Sequence, residues 1–359
     1  MAVLDAVGTG GGAASALRRA EPLVVPVLAL LAGLAVFGLF LLTQGRSPVE
    51  FFGYVWQGAF GSAFSWMNTL SRAAPLLLAA LCVALPARLG LVVIGGEGAI
   101  VLGGLAAGAV ALPMAGVPAV MGLPVMAGAA MIVGAVWIGL AGALRHYRGV
   151  NETISSLLLA YIAIAVMNHL VEGPLRDPAS LNKPSTAPVD EGLRVGMIPG
   201  MDVHWGLVFG LLACAVAWVL VERTRWGFAA RIAGGNVRAA EVQGLPVGRL
   251  ILGFTALGGA CAGLAGFFEV AAVQGSANAS LVAGYGYTGI LIAFLARHSA
   301  LAIIPVAVLL AGFDASSGLI QRRMELPDAT MQVLQGIVFM AILMSDAVYG
   351  RLPFFKARG

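Results

Sequence analysis

The chain has 359 residues, of which 60% are hydrophobic and 11% charged, and it carries a formal charge of +4. Soluble domains carry about 25% charged residues, so this composition excludes a globule wetted on every side. The basic excess sits between long apolar runs, which points to orientation in a membrane and away from nucleic acid.

Apolar segments fall at 22–43, 68–86, 89–112, 117–143, 153–171, 204–221, 250–272, 283–296, 300–320 and 331–349. Each is close to the ~20 residues that a membrane helix needs, the eighth being the shortest. The expected fold is all-α: a polytopic integral membrane protein with about ten transmembrane helices. Residues 22–349 form its transmembrane domain, between cytoplasmic tails at 1–21 and 350–359. The small, Gly/Ala-rich residues 1–17 are expected to be disordered. Arg18-Arg19 precedes a full-length apolar run with no small-residue cleavage site after it, so that run reads as a retained helix and not a secretory signal.

With the N-terminus inside, the 21 basic residues divide fourteen inside to seven outside, the outer set being Arg46, Arg72, Arg176, Lys183, Arg194, Arg322 and Arg323. That split follows the positive-inside rule and makes both termini cytoplasmic. The outer Arg322-Arg323 pair is the poorest fit to it. Spans two to five begin outside and spans seven to ten begin inside, which permits an inverted repeat.

Along the chain, the first polar intrusion is Glu97, within LGLVVIGGEGAIVLGG and flanked by Gly95, Gly96 and Gly98. A carboxylate at such depth costs about 2.5–3.5 kcal/mol on insertion scales. Two readings follow: glycine-mediated helix contact with the carboxylate tied to backbone donors or an arginine, or a broken helix facing a wet cavity. Next, Asn151-Glu152 opens the fifth span, as an N-cap with a dipole-favoured acid. The connection 172–203 is Pro/Ser/Asp-rich and lies outside, a contact surface for an external partner. The connection 222–249 lies inside, carries five arginines, and reads as helix, Gly234-Gly235 turn, short helix and stop at Gly244-Leu245-Pro246. A short amphipathic helix of this kind is a grip for a soluble partner. Glu269 near the outer end of the seventh span and Asp314 in the ninth either line a path or are buried hydrogen-bonded groups. Tyr161, Phe267, Phe268, Tyr285 and Tyr287 either stack on a planar ligand or belong to the lipid-facing and interfacial aromatics.

Catalytic chemistry has no foothold. The two lysines, Lys183 and Lys356, lie in no phosphate-binding loop. His146, His169, His204 and His298 are scattered, and Cys82, Cys214 and Cys261 lack metal spacing and read as packing residues. No catalytic residue, metal ligand or cofactor is expected in this chain.

Four segments in order, over roughly 70–345, resemble the permeases of ABC importers of the ribose/branched-chain amino-acid superfamily. They are LGLVVIGGEGAIVLGGLAAG, RGVNETISSLLLAYIAI, RWGFAARIAGGNVRAAEVQGLPVGR and GYGYTGILIAFLARHSAL. The likeness is nearest to the nucleoside branch served by basic-membrane-protein-type lipoproteins. It implies a multi-pass protein of the bacterial inner membrane, paired with a second permease and a separate ATPase that holds ATP and Mg. An extracytoplasmic substrate-binding lipoprotein, seated on the outer connection, completes the machine. Gly227, Arg231, Gly234, Asn236, Ala239, Ala240 and Gly244 would then form the ATPase coupling element. Gly95, Gly96, Glu97, Gly98, Asn151, Glu152, Tyr161 and Glu269 would lie on or near the substrate path. Val93, Ala99 and Ala160 replace amides that are common in the family, so the nucleoside stands beside a sugar or a branched-chain amino acid as the solute. The rivals are an ion-coupled secondary transporter, which leaves the arginine-rich inner connection without a task, and a membrane enzyme, which lacks a nucleophile, base or metal cluster.

Overall fold

The structure, a computed structural model, describes residues 11–180, 183–327 and 329–348. Thirteen α-helices are described: α1 (Gly11–Thr43), α2 (Pro48–Phe60), α3 (Ala63–Ala87), α4 (Gly96–Ala111), α5 (Ala119–Arg148), α6 (Glu152–Glu172), α7 (Gly206–Arg223), α8 (Arg225–Gly235), α9 (Val237–Val242), α10 (Val247–Phe268), α11 (Tyr285–Leu295), α12 (Ile303–Met324) and α13 (Ala329–Val348). Among the described residues there is no strand, only the isolated bridges Ser185–Asn278 and Met197–His204. The all-α, multi-pass expectation therefore stands. Each of the ten apolar runs falls on a helix, and seven helices are long and apolar enough to cross a membrane. Val27–Thr43, Ala279–Leu295 and Ala329–Ser345 are shorter apolar stretches.

Three sequence expectations are corrected. Residues 1–10 and 349–359, with part of the first tail and all of the last, lie outside the described residues, but α1 begins at Gly11, so 11–17 are helical and not disordered. The run 89–112 is not one helix: residues 89–95 are irregular and α4 begins only at Gly96. Apolar content is high on both sides of that break, so hydropathy alone could not find it. Finally, α2 was not anticipated, because its 13 residues fall short of a span and its sequence mixes Glu50 and Gln57 with aromatics.

The chain divides into two units. One joins the described residues up to Val55 with those from Ser317 onward, and within it α1 packs against α13. The other, Trp56–Ser316, holds the functional candidates. At its centre is α10, packed against α3, α4 and α5. The contacts there are backbone to backbone. A Cβ on Gly103 of α4 would lie 2.5 Å from the Gly263 Cα of α10, and one on Gly258 would lie 2.7 Å from the Cys82 carbonyl of α3. Gly259 and Gly263 press equally closely on Gly134 and Ala130 of α5. Lipid tails are as apolar as leucine, so helices in a bilayer gain by close approach through small residues and not by hiding large ones. After Phe268 the helix widens into a π-turn, Glu269–Gln274, that ends at Gly275 with φ +72°.

Candidate functional site

Glu97 is fully buried. It lies in the first turn of α4, and its two oxygens accept from the backbone N–H groups of Gly284 (2.7 Å) and Gly286 (2.6 Å) at the start of α11. Gly284 is the N-cap of α11 with φ +81°, a conformation that glycine adopts freely. The N-terminal ends of two helices, each equivalent to about half a positive charge, therefore converge on one carboxylate. Short charge-assisted bonds of this kind are the strong class. The glycines around Glu97 allow the approach: a Cβ on Gly286 would lie 2.6 Å from the Glu97 Cα, one on Gly98 would lie 2.7 Å from the Ala160 Cα, and one on Gly95 would strike the Ser156 backbone. Gly96 has ordinary clearance, its nearest neighbour being the Cys82 sulfur at 3.5 Å.

The irregular segment 89–95 is held by the first turn of α6. Asn151 caps that helix, accepting from the Thr153 and Ile154 N–H groups at 2.9 and 3.2 Å. Glu152 is buried, accepts from the Val92 N–H at 3.3 Å and pairs with Arg145 at 3.4 Å. Thr153 donates to the Val92 carbonyl at 2.8 Å, and the Ile94 N–H donates to the Ser156 hydroxyl at 3.1 Å. Backbone groups released by the break are thus satisfied by side chains, as a non-helical stretch at membrane depth requires. Six expected path residues, Gly95, Gly96, Glu97, Gly98, Asn151 and Glu152, lie around this one crossing.

Glu269 is buried in the π-turn, where the Gln274 side-chain N–H approaches it at 3.5 Å and the Tyr285 side chain bonds to it. Tyr285 lies between Gly284 and Gly286, so Glu97 and Glu269 flank the same turn of α11 from two sides. The Gln274 side-chain oxygen is buried without a partner. Tyr161 is 59% exposed on α6, within electrostatic reach of Tyr287, the residue after Gly286. Phe267 and Phe268 are buried against the core and Phe268 rests on Phe209, so neither faces lipid or an open path. Val93, Ala99 and Ala160 are fully buried too, in apolar packing.

The inner connection folds as α8 and α9. Thr224 caps α8 by accepting from the Gly227 N–H at 3.2 Å, and Asn236 caps α9 by accepting from the Ala239 N–H at 3.0 Å. The break therefore falls at Asn236 and not within Gly234-Gly235, which end α8. The two glycines differ in role, because a Cβ on Gly234 would lie 3.1 Å from the Leu89 Cα while Gly235 is open. Gly227 presses on the Leu220 and Val221 carbonyls in the same way. Arg231 reaches back to Glu222 (3.0 Å) and to the Val221 carbonyl (3.3 Å), and Arg88 approaches Glu222 at 3.6 Å. Ala240 is buried, Ala239 is exposed, and Gly244 closes the hairpin at φ +78°. Trp226, Phe228, Val237 and Val242 are exposed, Val242 at 85%.

Sequence reading missed the donors to Glu97, namely Gly284 and Gly286, and the tie from Ser156. The signal for the first lay in the Gly-Tyr-Gly spacing of the later motif, which reads as a helix start fed by glycines. Arg88 also escaped notice. It donates to the His298 carbonyl at 3.0 Å, and its guanidinium is partly desolvated. Burial and then the Arg88 charge push the His298 imidazole down to about 4.

Comparison with known proteins identifies the family of the chain. The family model described as branched-chain amino acid transport system / permease component matches residues 65–343. The glucose ABC transporter permease protein TsgB13 of Haloferax volcanii is 35% identical over 89% of this chain and 87% of its own. The guanosine ABC transporter permease protein NupP of Bacillus subtilis is 28% identical over 96% and 99%. The nucleoside ABC transporter permease protein NupB of Lactococcus lactis is 24% identical over 81% and 83%. No solved structure matches. A matched region covering most of the chain, on a helical scaffold that brings its motifs together, assigns this chain to the ABC permease family as a transport subunit and not an enzyme, with ATP hydrolysis left to a separate partner.

Proposed function

We propose that this chain moves a nucleoside inward across a bacterial cytoplasmic membrane by alternating access, as one of two permease subunits driven by a separate ATPase. The observation that carries the proposal is the convergence of α4 and α11 on Glu97. At 1.5 Å per residue, the 11 residues of α11 reach ~16 Å, about half of a ~30 Å hydrocarbon core. Its N-terminus therefore lies at depth, where broken helices commonly build transporter sites. Ten spans across residues 22–349, both termini inside and an inverted repeat are the topology that fits. The matched identity to nucleoside permeases over nearly the whole chain supports the solute; the glucose permease relative makes a sugar the second reading, and the two solutes share a polyol ring.

In this reading α8 and α9 dock on the ATPase through Trp226, Phe228, Val237, Ala239 and Val242. Their motion passes through Gly234 to the backbone at Arg88-Leu89, and thence along 89–95 to Glu97. The outer connection 172–203 seats the binding lipoprotein. Gly95, Gly96, Glu97, Gly98, Asn151, Glu152, Tyr161 and Glu269 form the wall of the path or hold it in place. Proteoliposomes containing this permease, its ATPase and its binding protein test the proposal. ATP-dependent guanosine uptake that unlabelled glucose does not compete is expected. Glucose uptake with no guanosine uptake would establish the sugar reading, and gradient-driven uptake without ATPase would overturn the mechanism.

A further inference from the structure

A cavity of about 400 Å³ opens between the C-terminal ends of α3 and α7 and the turn 298–300. Its walls change character in the same direction on both helices. Leu81, Ala84 and Leu85 lead to Arg88 on α3, and Ala217, Trp218 and Val221 lead to Glu222 and Arg223 on α7. Apolar surface thus lies toward the span and charge lies at the helix ends. The charges do not balance. Glu222 is shared by Arg88 and Arg231, while Arg223 has no carboxylate within ion-pair distance among the described residues. Instead Arg223 lies over the Trp218 ring at 5.2 Å, which orients the guanidinium and leaves its donors free. His298 lines the same cavity with its Nδ1 buried and unpartnered, on a backbone at φ +57°. Two arginines, Arg88 and Arg223, thus share the pocket rim with one carboxylate, Glu222, which is already paired, and leave an excess of positive charge there.

We propose that this cavity holds the phosphate headgroup of an anionic phospholipid, with the acyl chain against Leu81, Leu85 and Val221 and the phosphate between Arg223 and Arg88. The apolar wall selects a lipid over a free anion, because a soluble phosphate would leave that surface wet. Basic pockets between helices at a membrane face recognise such headgroups, each cation contributing about 1 kcal/mol, roughly fivefold in affinity. The inference is independent of the transported solute.

Native mass spectrometry of the full chain in detergent tests it, with phosphatidylglycerol, phosphatidylcholine or inorganic phosphate added in turn. Phosphatidylglycerol is expected to be retained at least about fivefold more tightly than phosphatidylcholine. Arg223→Ala should lose about that factor, Arg223→Lys should keep most of it, and Arg194→Ala, in the other long connection, should change nothing. Arg223 is exposed at the rim, so these variants should melt as the parent does. Equal retention of the two lipids, or an unaffected Arg223→Ala, would overturn the proposal. Displacement of phosphatidylglycerol by millimolar inorganic phosphate would assign the site to a free anion and overturn the lipid assignment.

Discussion

Replacing Glu97 separates holding the fold from serving the path. Glu97→Ala deletes the acceptor for two backbone N–H groups, the part-buried one of Gly284 and the buried one of Gly286. Bonds to a charged acceptor are each worth about 1.5–3 kcal/mol in soluble proteins, which sets an upper figure of about 6 kcal/mol. Polar pairs inside membranes measure lower, averaging about 0.6 and reaching about 1.7 kcal/mol, because the unfolded segment also finds partners. A loss of about 2–4 kcal/mol lies between these limits. Glu97→Gln should lose nearly as much, since the amide keeps one acceptor but turns an N–H toward the second backbone N–H. At roughly 2–4 °C per kcal/mol for domains of 150–250 residues, the melting temperature of the purified protein should fall by about 4–16 °C, together with uptake. Unchanged melting with abolished uptake would refute this reasoning and place Glu97 in direct service of the solute.

Three further outcomes follow from the geometry. Ala239→Trp should abolish ATPase co-purification while melting stays unchanged, because Ala239 is exposed; Gly234→Val should lower both, because its side chain would meet the Arg88-Leu89 backbone. Gly263→Leu should give inserted but aggregated protein on size-exclusion chromatography: overpacking costs about 1–3 kcal/mol where side chains can yield, and here only backbone lies opposite. His298 is held neutral in the fold, its pKa lowered from 6.5 to about 4. The unfolded chain therefore binds the extra proton between those values, so stability is full above pH 6.5 and declines as pH falls toward about 4. Melting at pH 7.5 and pH 5 should differ, and His298→Asn, which tolerates the positive φ, should lessen that difference.

Apolar runs, caps and breakers made most of the helices legible. Asn151 and Asn236 announced their helices because a short side-chain acceptor before a helical run has few other uses. The pairing of Glu97 with α11 was not legible. Its partners lie 187 and 189 residues away and are backbone groups, which leave no trace in side-chain chemistry. Position 97 announced that something had to satisfy the carboxylate; only the fold identified what. The glycines around Glu97 admitted a broken helix, but what supports the break at 89–95 was hidden for the same reason, since Thr153 and Ser156 read as ordinary residues near the start of a helix.

The glycine-lined seams of α10 carry a mechanical consequence. Where main chains touch directly, there are no rotamers to flip and no methylene to slide aside, so α4, α5 and α10 have no means of shearing past one another by small steps. Any stroke delivered to them must be passed on whole, as through a solid lever. Give in the machine is then to be sought where side chains meet, as between α7 and α3, where Leu77 lies against Gly210.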